Sequence, residues 1–308
     1  MTLLMEPSKK TEFAHLPVLC RDVVAQFDFP GDLPAGRQEP LVVDATLGLG
    51  GHTQALLERY PHLSVLGVEW DAEALEVAEK RLAKYGGRFR TILGSYADLP
   101  TILQDEGIQG VSGILVDLGV SSLQLDNAAR GFSFSKRGPF DMRMSKALPT
   151  TAWDLLSRMD VEELASLFKN YGEEPHAMRV AETLKEALER KELSNDSWAV
   201  AQCIRAALPA GRGRIDPATR CFQAFRMAVN HELENVKTFL EALPTLLKTG
   251  GRAVVLSFHS LEDRMVKQAF KQADWARLIT KKAIQASWAE KSVNPRARSV
   301  RMRALEKI

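Results

Sequence analysis

The sequence contains few cysteines and no long apolar run. Of its 308 residues only Cys20, Cys203 and Cys221 are cysteine, and they form no C-x-x-C pair, so neither a disulfide framework nor a zinc site is expected. No apolar stretch approaches the roughly 20 residues that a membrane-spanning helix needs. The N-terminus, with Lys9 and Lys10, lacks a signal-peptide core and is not Arg-rich like a transit peptide. These absences predict a cytoplasmic protein without a metal site.

Two nucleotide-binding signatures are also missing. The chain has no G-x-x-x-x-G-K-[ST] loop, which argues against hydrolysis of ATP or GTP. Its glycine cluster at residues 48–51 is followed by Thr53, where the dinucleotide fingerprint G-x-G-x-x-G has its third glycine. The sequence therefore argues against a nicotinamide-dependent dehydrogenase.

Acidic and basic residues are unevenly distributed along the chain. Residues 1–125 carry 10 Lys or Arg against 17 Asp or Glu, a net charge of −7, whereas residues 216–308 carry 17 against 9, a net charge of +8. Such asymmetry predicts that a polyanion contacts the C-terminal third, with a merely solvated basic face as the alternative.

The first part of the chain alternates between short apolar runs and amphipathic segments. Runs at residues 41–44, 64–69, 89–93 and 114–117 predict four strands, with helices after the first and second. This alternation is typical of a parallel sheet covered by helices on both faces. Pro- and Gly-rich residues 30–40 predict a loop before the first strand.

Polar or glycine residues follow each of these strands. Asp44, Gly48, Glu69, Tyr96 and Asp117 all lie at strand exits, and ligands of such sheets bind outside the carboxyl ends of the strands. An acid at the tip of the second strand suits ribose hydroxyls. With no phosphate-binding loop, this pattern favours S-adenosylmethionine, a nucleoside without phosphate.

The alternation stops near residue 126 and resumes near residue 216. Between them the pattern is helical, which predicts an inserted all-helical domain. From Asp216 an apolar stripe predicts one helix to residue 243, followed by a fifth strand at residues 253–258 and two late strands near residues 278–283 and 299–304. We predict a discontinuous domain of residues 1–125 and 216–308, with residues 126–215 inserted.

Several segments resemble one known family, the bacterial small-subunit (16S) ribosomal RNA cytosine-N4 methyltransferases, known as RsmH or MraW. The resemblance begins at His15 and rests on GGH at residues 50–52, DLGVSS at 117–122, RGFSF at 130–134, GPFDMRM at 138–144, YGEE at 171–174, SFHSLEDR at 257–264 and NPRARS at 294–299. It implies a class I (Rossmann-like) S-adenosylmethionine-dependent methyltransferase fold. That fold has a mostly parallel seven-stranded sheet, here with the inserted helical domain. It also implies methyl transfer to the N4 of a cytosine in small-subunit ribosomal RNA, at the decoding centre.

The resemblance assigns roles to individual residues. It implies that the cofactor is bound by Gly50, Gly51, His52, Glu69, Tyr96, Asp117 and Gln124. The family commonly has Asp in place of Glu69 and Phe in place of Tyr96, and both replacements keep the required chemistry. The catalytic candidates are Asp117 and, at the exit of the fifth strand, His259. The RNA-binding candidates are Arg220, Arg226, Asn230, Arg296, Arg298 and Arg301.

The chemistry follows from the low nucleophilicity of the cytosine amine. The enzyme must align N4 with the methyl group and accept hydrogen bonds from the NH2 group. Many amino-methyltransferases use a (D/N/S)-P-P-(Y/F) turn for this purpose, but the same position here is Asp117-Leu118-Gly119-Val120. The target base must leave its stack, and Phe132, Phe134 or Phe140 could replace it there or simply belong to the core.

Two other functions remain open from the sequence. A non-catalytic ribosome-assembly factor would bind the cofactor without transferring the methyl group, and a DNA amino-methyltransferase would act on duplex DNA. The sequence is compatible with a homodimer, and with either free RNA or an assembled small subunit as the substrate.

Overall fold

The computed structural model describes residues 17–29, 39–209 and 216–308. The N-terminal segment that includes His15, most of the loop expected over residues 30–40, and the end of the predicted insertion lie outside the described residues. No helix in the described part of the chain is long and apolar enough to cross a membrane. The strands are β1 (Leu41–Asp44), β2 (Ser64–Glu69), β3 (Phe89–Leu93), β4 (Val111–Asp117), β5 (Leu247–Ser257), β6 (Ala276–Leu278) and β7 (Arg301–Lys307).

One seven-stranded sheet organises the protein. Its strand order is β3-β2-β1-β4-β5-β7-β6. Strands β3, β2, β1, β4 and β5 are parallel, whereas β7 runs antiparallel between β5 and β6. From β1 the strand order runs through β2 and β3 to one edge of the sheet, and from β4 it runs to the other edge. The switch point therefore lies between β1 and β4, and ligands are expected to bind at the carboxyl ends of these two strands. This is the class I methyltransferase topology that the resemblance implies, and the predicted fold is confirmed.

Helices cover both faces of the sheet. They are α1 (Cys20–Gln26), α2 (Gly51–Arg59), α3 (Ala72–Leu82), α4 (Leu99–Asp105), α5 (Ser122–Asp126), α6 (Ala152–Arg158), α7 (Val161–Gly172), α8 (Ala177–Glu189), α9 (Ser197–Ala207), α10 (Thr219–Val229), α11 (Glu232–Leu246), α12 (Ser260–Gln272) and α13 (Trp288–Val293). On one face the strands bury apolar side chains of α4, α11 and α12, and on the other those of α1 and α2. The sheet is therefore the middle layer of a three-layer core.

Helices α6 to α9 share a separate apolar core. It includes Leu156, Phe168, Leu184 and Ile204, all fully buried. Phe225 of α10 lies in the same core, in edge-to-face contact with Phe168 at 5.3 Å between ring centroids. Helix α10 thus belongs by its packing to the helical part of the molecule, although it follows residue 216. The proposed division into two domains stays a prediction.

The structure differs from the sequence pattern at several places, one of which is β4, which begins at Val111 and not at residue 114. The single helix expected from residue 216 to 243 is two helices, because His231 has a φ of +51° and ends the first at Asn230. Strand β5 begins at Leu247, and it passes through the expected turn at Gly250 with an irregular register against β4. Strand β6 ends at Leu278, where the first late run was expected to begin, so the strand predicted over residues 278–283 is largely wrong. Strand β7 begins two residues later than its run indicates, at Arg301.

Candidate functional site

A cavity of about 690 Å³ opens at the carboxyl ends of the strands. Its wall includes residues that follow β1, β2, β3, β4 and β5, as the sequence predicts. The polar and charged residues that line it are Thr46, His52, Glu69, Arg81, Ser95, Tyr96, Asp117, Ser121, Ser122, Gln124, Asp126, Arg226, Glu232, Glu262, Asn294, Arg296 and Ser299. Trp70, Met144 and Phe258 add apolar surface. A concave site with convergent polar groups is the usual form of a small-molecule site.

The glycine turn after β1 forms one end of the cavity. Gly50 precedes α2 with a φ of +75°, and a Cβ there would lie 2.6 Å from Leu82 Cδ1, so this position requires glycine. Gly51 and His52 line the cavity, whereas Gly50 does not. Gly50 therefore shapes the turn, and its neighbours supply the surface expected to meet a ligand.

Glu69 is a buried carboxylate at the tip of β2. Its Oε2 accepts a hydrogen bond of 2.8 Å from the Gly48 N–H, and its Oε1 one of 3.0 Å from the Asp71 N–H. Burial raises the pKa of Glu69 to about 7, although these two backbone hydrogen bonds act to lower it. The side chain is fixed by the glycine turn and still lines the cavity, which is the position that ribose recognition requires.

His52 and Asp117 face each other across the strand ends. His52 Nε2 lies 2.9 Å from the Val18 carbonyl, which can only accept, so the neutral ring carries its proton on Nε2. Its bare Nδ1 lies 3.7 Å from Asp117 Oδ2. Burial lowers the pKa of His52 and raises that of Asp117 to about 7, with Arg296 acting to lower the pKa of Asp117. Asp117 can therefore exchange a proton near neutral pH, as an acid–base group must.

Tyr96 lies in the wall beyond β3. Its ring is in edge-to-face contact with Phe239 at 6.0 Å. Burial raises its pKa well above the usual value, and the nearby Glu232 acts in the same direction, so the phenol is neutral. A flat, fixed aromatic ring at this strand exit fits the predicted role beside an adenine.

Gln124 contributes to the cavity mainly by holding its wall together. Its Oε1 accepts the Ser121 N–H at 3.0 Å as part of a capping box, and its Nε2 donates to Asp71 Oδ2 at 2.9 Å. Arg130 donates to the same Asp71 oxygen at 2.8 Å and to the Met144 carbonyl at 2.7 Å. The predicted cofactor contact of Gln124 stays a prediction.

A second charged cluster, which the sequence reasoning missed, lies on the same cavity wall. Arg226 donates to both carboxylate oxygens of Glu232, at 2.7 and 2.8 Å, and Glu262 Oε2 accepts the Phe258 N–H at 2.9 Å. Burial acts to raise the pKa of Glu262, but His259, Arg226 and the Phe258 N–H together outweigh it, and the pKa is lowered. Glu262 belongs to the SFHSLEDR motif, and this motif was the one feature of the sequence that could have indicated Glu262 as a site residue.

His259 does not occupy the position expected of a catalytic base. Its Nδ1 accepts the Glu262 N–H at 3.4 Å, its Nε2 lies 3.0 Å from Glu262 Oε1, and it is outside the cavity lining. The structure shows His259 as the N-cap of α12, and its predicted catalytic role stays a prediction. Glu232, His259 and Glu262 bring potential metal-ligand atoms within 4.8 Å of one another, but Arg226 already neutralises Glu232. The expected lack of a metal stays a prediction.

The candidates for RNA binding separate into two groups. Arg220, Arg298 and Arg301 are exposed, although Arg301 lies 3.1 Å from Asp263 and Arg220 is 3.9 Å from Glu174. Arg226 and Arg296 instead line the cavity, because Glu232 holds the first and a hydrogen bond to Ser122 Oγ holds the second. Their predicted contact with RNA stays a prediction, and it would take place inside the cavity and not on the outer surface.

Asn230 is fully buried, and its side chain is occupied by the backbone. Its Oδ1 accepts the Met144 N–H at 2.7 Å, and its Nδ2 donates to the carbonyls of Met142 and Arg226 at 2.8 and 2.7 Å. No part of it is available to RNA, so its predicted RNA contact is wrong. Phe132 and Phe140 are likewise buried in the helical core. They therefore belong to the core and are not placed to replace a flipped base.

Comparison with known proteins yields one family and several close relatives. A family model described as the MraW methylase family matches residues 12–308. A ribosomal RNA small subunit methyltransferase H from Anaeromyxobacter sp. (strain Fw109-5) is 45% identical over 318 residues, covering 96% of this chain and 99% of that protein. Its namesake from Syntrophobacter fumaroxidans is 42% identical over 326 residues, with 98% of each chain covered.

Replacing Asn230 by Ala is expected to lower the free energy of unfolding by about 2–6 kcal/mol. The change leaves the Met144 N–H and the Met142 carbonyl without their partner, and each unsatisfied buried group costs about 1–3 kcal/mol. Urea denaturation followed by circular dichroism measures the effect. The exposed Asn170, changed to Ala, serves as the matched control. Equal stability of the two variants would contradict the structural role.

Proposed function

This chain belongs to the MraW methylase family, and from that premise we propose that it methylates the exocyclic N4 of a cytosine in small-subunit (16S) ribosomal RNA. The motifs of the sequence predict the family, and the family model and the relatives confirm it. The methyl donor is S-adenosylmethionine. The observation that carries the proposal is the single cavity wall on which Glu69, Tyr96 and Asp117 meet at successive strand exits.

The residues present fit this donor. The Gly48–Glu69 hydrogen bond fixes a carboxylate for the ribose hydroxyls, and the neutral Tyr96 ring suits the adenine. Gly51 and His52, at the start of α2, line the part of the cavity that would hold the rest of the donor molecule. When bound, S-adenosylmethionine supplies a methyl group on a positively charged sulfur, so the amine needs only placement and removal of a proton. A cavity of about 690 Å³ is of the size that ligand sites commonly have.

Asp117 is proposed to orient the target amine and to accept its proton. Its Oδ1 is buried and has no hydrogen-bond partner among the described residues, while its Oδ2 faces the bare Nδ1 of His52. An ionised Asp117 accepts a hydrogen bond from the NH2 group and so returns electron density to nitrogen. After transfer, protonated Asp117 holds the proton inside the site, opposite the bare Nδ1 of His52.

Arg296 is proposed to face the ring of the same base. Its guanidinium reaches the cavity from the NPRARS segment and acts electrostatically on Asp117. Cytosine carries acceptors at O2 and N3 beside the donor at N4, so a cationic donor next to a carboxylate matches its hydrogen-bonding edge. This assignment specifies the RNA contact that the sequence predicts for Arg296.

The RNA is proposed to contact the helical insertion of residues 126–215 and the exposed basic side chains Arg220, Arg298 and Arg301. The net charge of +8 over residues 216–308 supports this assignment. We further propose that the target lies at the decoding centre and that the enzyme acts in the cytoplasm, where assembled subunits occur. Both follow from the resemblance to the family.

Methyl transfer from radiolabelled donor tests the proposal directly. Naked small-subunit RNA, assembled small subunits and duplex DNA are compared, and the product nucleoside is identified by mass spectrometry. The expected product is N4-methylcytidine from RNA or subunits. Transfer to DNA alone would overturn the proposal, and donor binding without transfer to any substrate would identify a non-catalytic assembly factor.

Changing Glu69 to Gln is expected to weaken donor binding by about 10- to 100-fold, because a hydrogen bond to a charged group is worth about 1.5–3 kcal/mol. Isothermal titration calorimetry measures the dissociation constant. The exposed Glu76, changed to Gln, is the control, since it is 72% exposed. Unchanged affinity in the Glu69 variant would remove this residue from the donor site.

The pH dependence of kcat is expected to follow Asp117. The protonated carboxyl cannot accept from N4, so kcat rises with pH, with a midpoint near the pKa of about 7. Because Glu69 acts through donor binding, its own titration does not affect kcat when donor and RNA are both saturating, and the pH dependence then reports on Asp117. Asp117→Asn is expected to reduce kcat by about 100-fold or more and to abolish the rise, whereas the exposed Asp105→Asn is expected to change neither. A full rise in the Asp117 variant would exclude this role.

A further inference from the structure

An exposed tryptophan begins the short helix whose last residue lines the cavity. Trp288 is the first residue of the short helix α13, and its side chain is 85% exposed. Val293, at the other end of the same helix, is 78% exposed and contributes to the cavity lining. Large apolar side chains left exposed near a ligand site often mark a binding surface.

The exposure of Trp288 does not come from a loosely attached segment. The residues before and after α13 are anchored by Ala286, Ala297 and Val300, which are buried against the sheet. Ser287 caps the helix, and Glu290 Oε1 accepts a 2.7 Å hydrogen bond from the Leu19 N–H at the start of α1. The helix is therefore a fixed platform, and Trp288 projects from its outer side.

The charge around the platform favours a polyanion. Lys291 lies one helical turn from Trp288, and Arg298 is exposed on the segment that follows. Neither forms an ion pair with any residue that the structure describes. An exposed aromatic ring beside unpaired basic side chains is the combination that single-stranded nucleic acids bind, through base stacking and phosphate contacts.

We propose that Trp288 stacks on a base next to the target cytosine and so holds the RNA strand at the mouth of the cavity. Five residues of helix separate Trp288 from Val293, a rise of about 7.5 Å. Two steps of a stacked strand cover about the same length, at roughly 3.4 Å each. The ring thus lies within one or two nucleotides of the base that enters the cavity. This inference rests on the proposed function, because it names where that RNA is held.

Steady-state methyl transfer by Trp288 variants tests the stacking. Trp288→Ala is expected to raise KM for the RNA substrate by about 5- to 150-fold, the range that loss of one aromatic stack gives, with donor affinity and kcat at saturating RNA unchanged. Trp288→Phe keeps an aromatic face and restores most of the affinity. Trp288→Leu keeps apolar area without a π face and behaves like the alanine variant. Leu93→Ala, at the far edge of the sheet and 57% exposed, is the matched control.

A fluorescence measurement gives a readout independent of turnover. Wild-type protein is expected to show quenching on addition of RNA that Trp288→Phe lacks. If the wild type methylates RNA but the alanine variant keeps its KM, the stacking proposal fails and the proposed function stands. If the wild type methylates no RNA, the proposed function itself fails. Conversion of a homodimer to a monomer by Trp288→Ala in sedimentation velocity, with KM unchanged, would assign the surface to a second copy and overturn the proposal.

Discussion

The carboxylate of Asp71 connects the sheet to the rest of the cavity. Its Oδ2 accepts hydrogen bonds from both Gln124 and Arg130, and Arg130 also donates to the Met144 carbonyl. Asp71 and Arg130 are both about 4% exposed, and a buried ion pair of this kind contributes little net stability by itself. Its importance is geometric, because it fixes one arrangement of the elements that join the sheet to the helical part.

The network continues in both directions from Asp71. The Asp71 N–H donates to Glu69, which also accepts from Gly48 in the glycine turn. On the other side, the Met144 N–H donates to Asn230 at the end of α10. An unbroken series of hydrogen bonds therefore joins the turn after β1 to the helical core. Since a partly satisfied buried network is costly, the glycine turn, Glu69 and the cavity wall are positioned together.

The sequence predicts those parts of the structure that depend on local pattern. Strands β1, β2 and β3 have the predicted bounds, because each is an apolar run closed by glycine or an acid. The strand exits converge because parallel strands share one carboxyl edge. The break at His231 was not predictable, since the apolar stripe continues across it, and what fixes it there is the contact of Asn230 with Met142 and Met144. The positions of Arg226 and Arg296 inside the cavity were not predictable for the same reason, because their partners Glu232 and Ser122 are identified only by the fold.

The charges of the cavity suit a cationic methyl donor. Its lining contains the carboxyl groups of Glu69, Asp117, Asp126, Glu232 and Glu262, against the guanidinium groups of Arg81, Arg226 and Arg296. Two of these carboxyls have a pKa of about 7, so the cavity becomes more negative as the pH rises through neutrality. A sulfonium donor loses its positive charge when it gives up the methyl group. The same carboxylates therefore attract the donor more strongly than the thioether product, and the electrostatics that stabilise binding also favour product release.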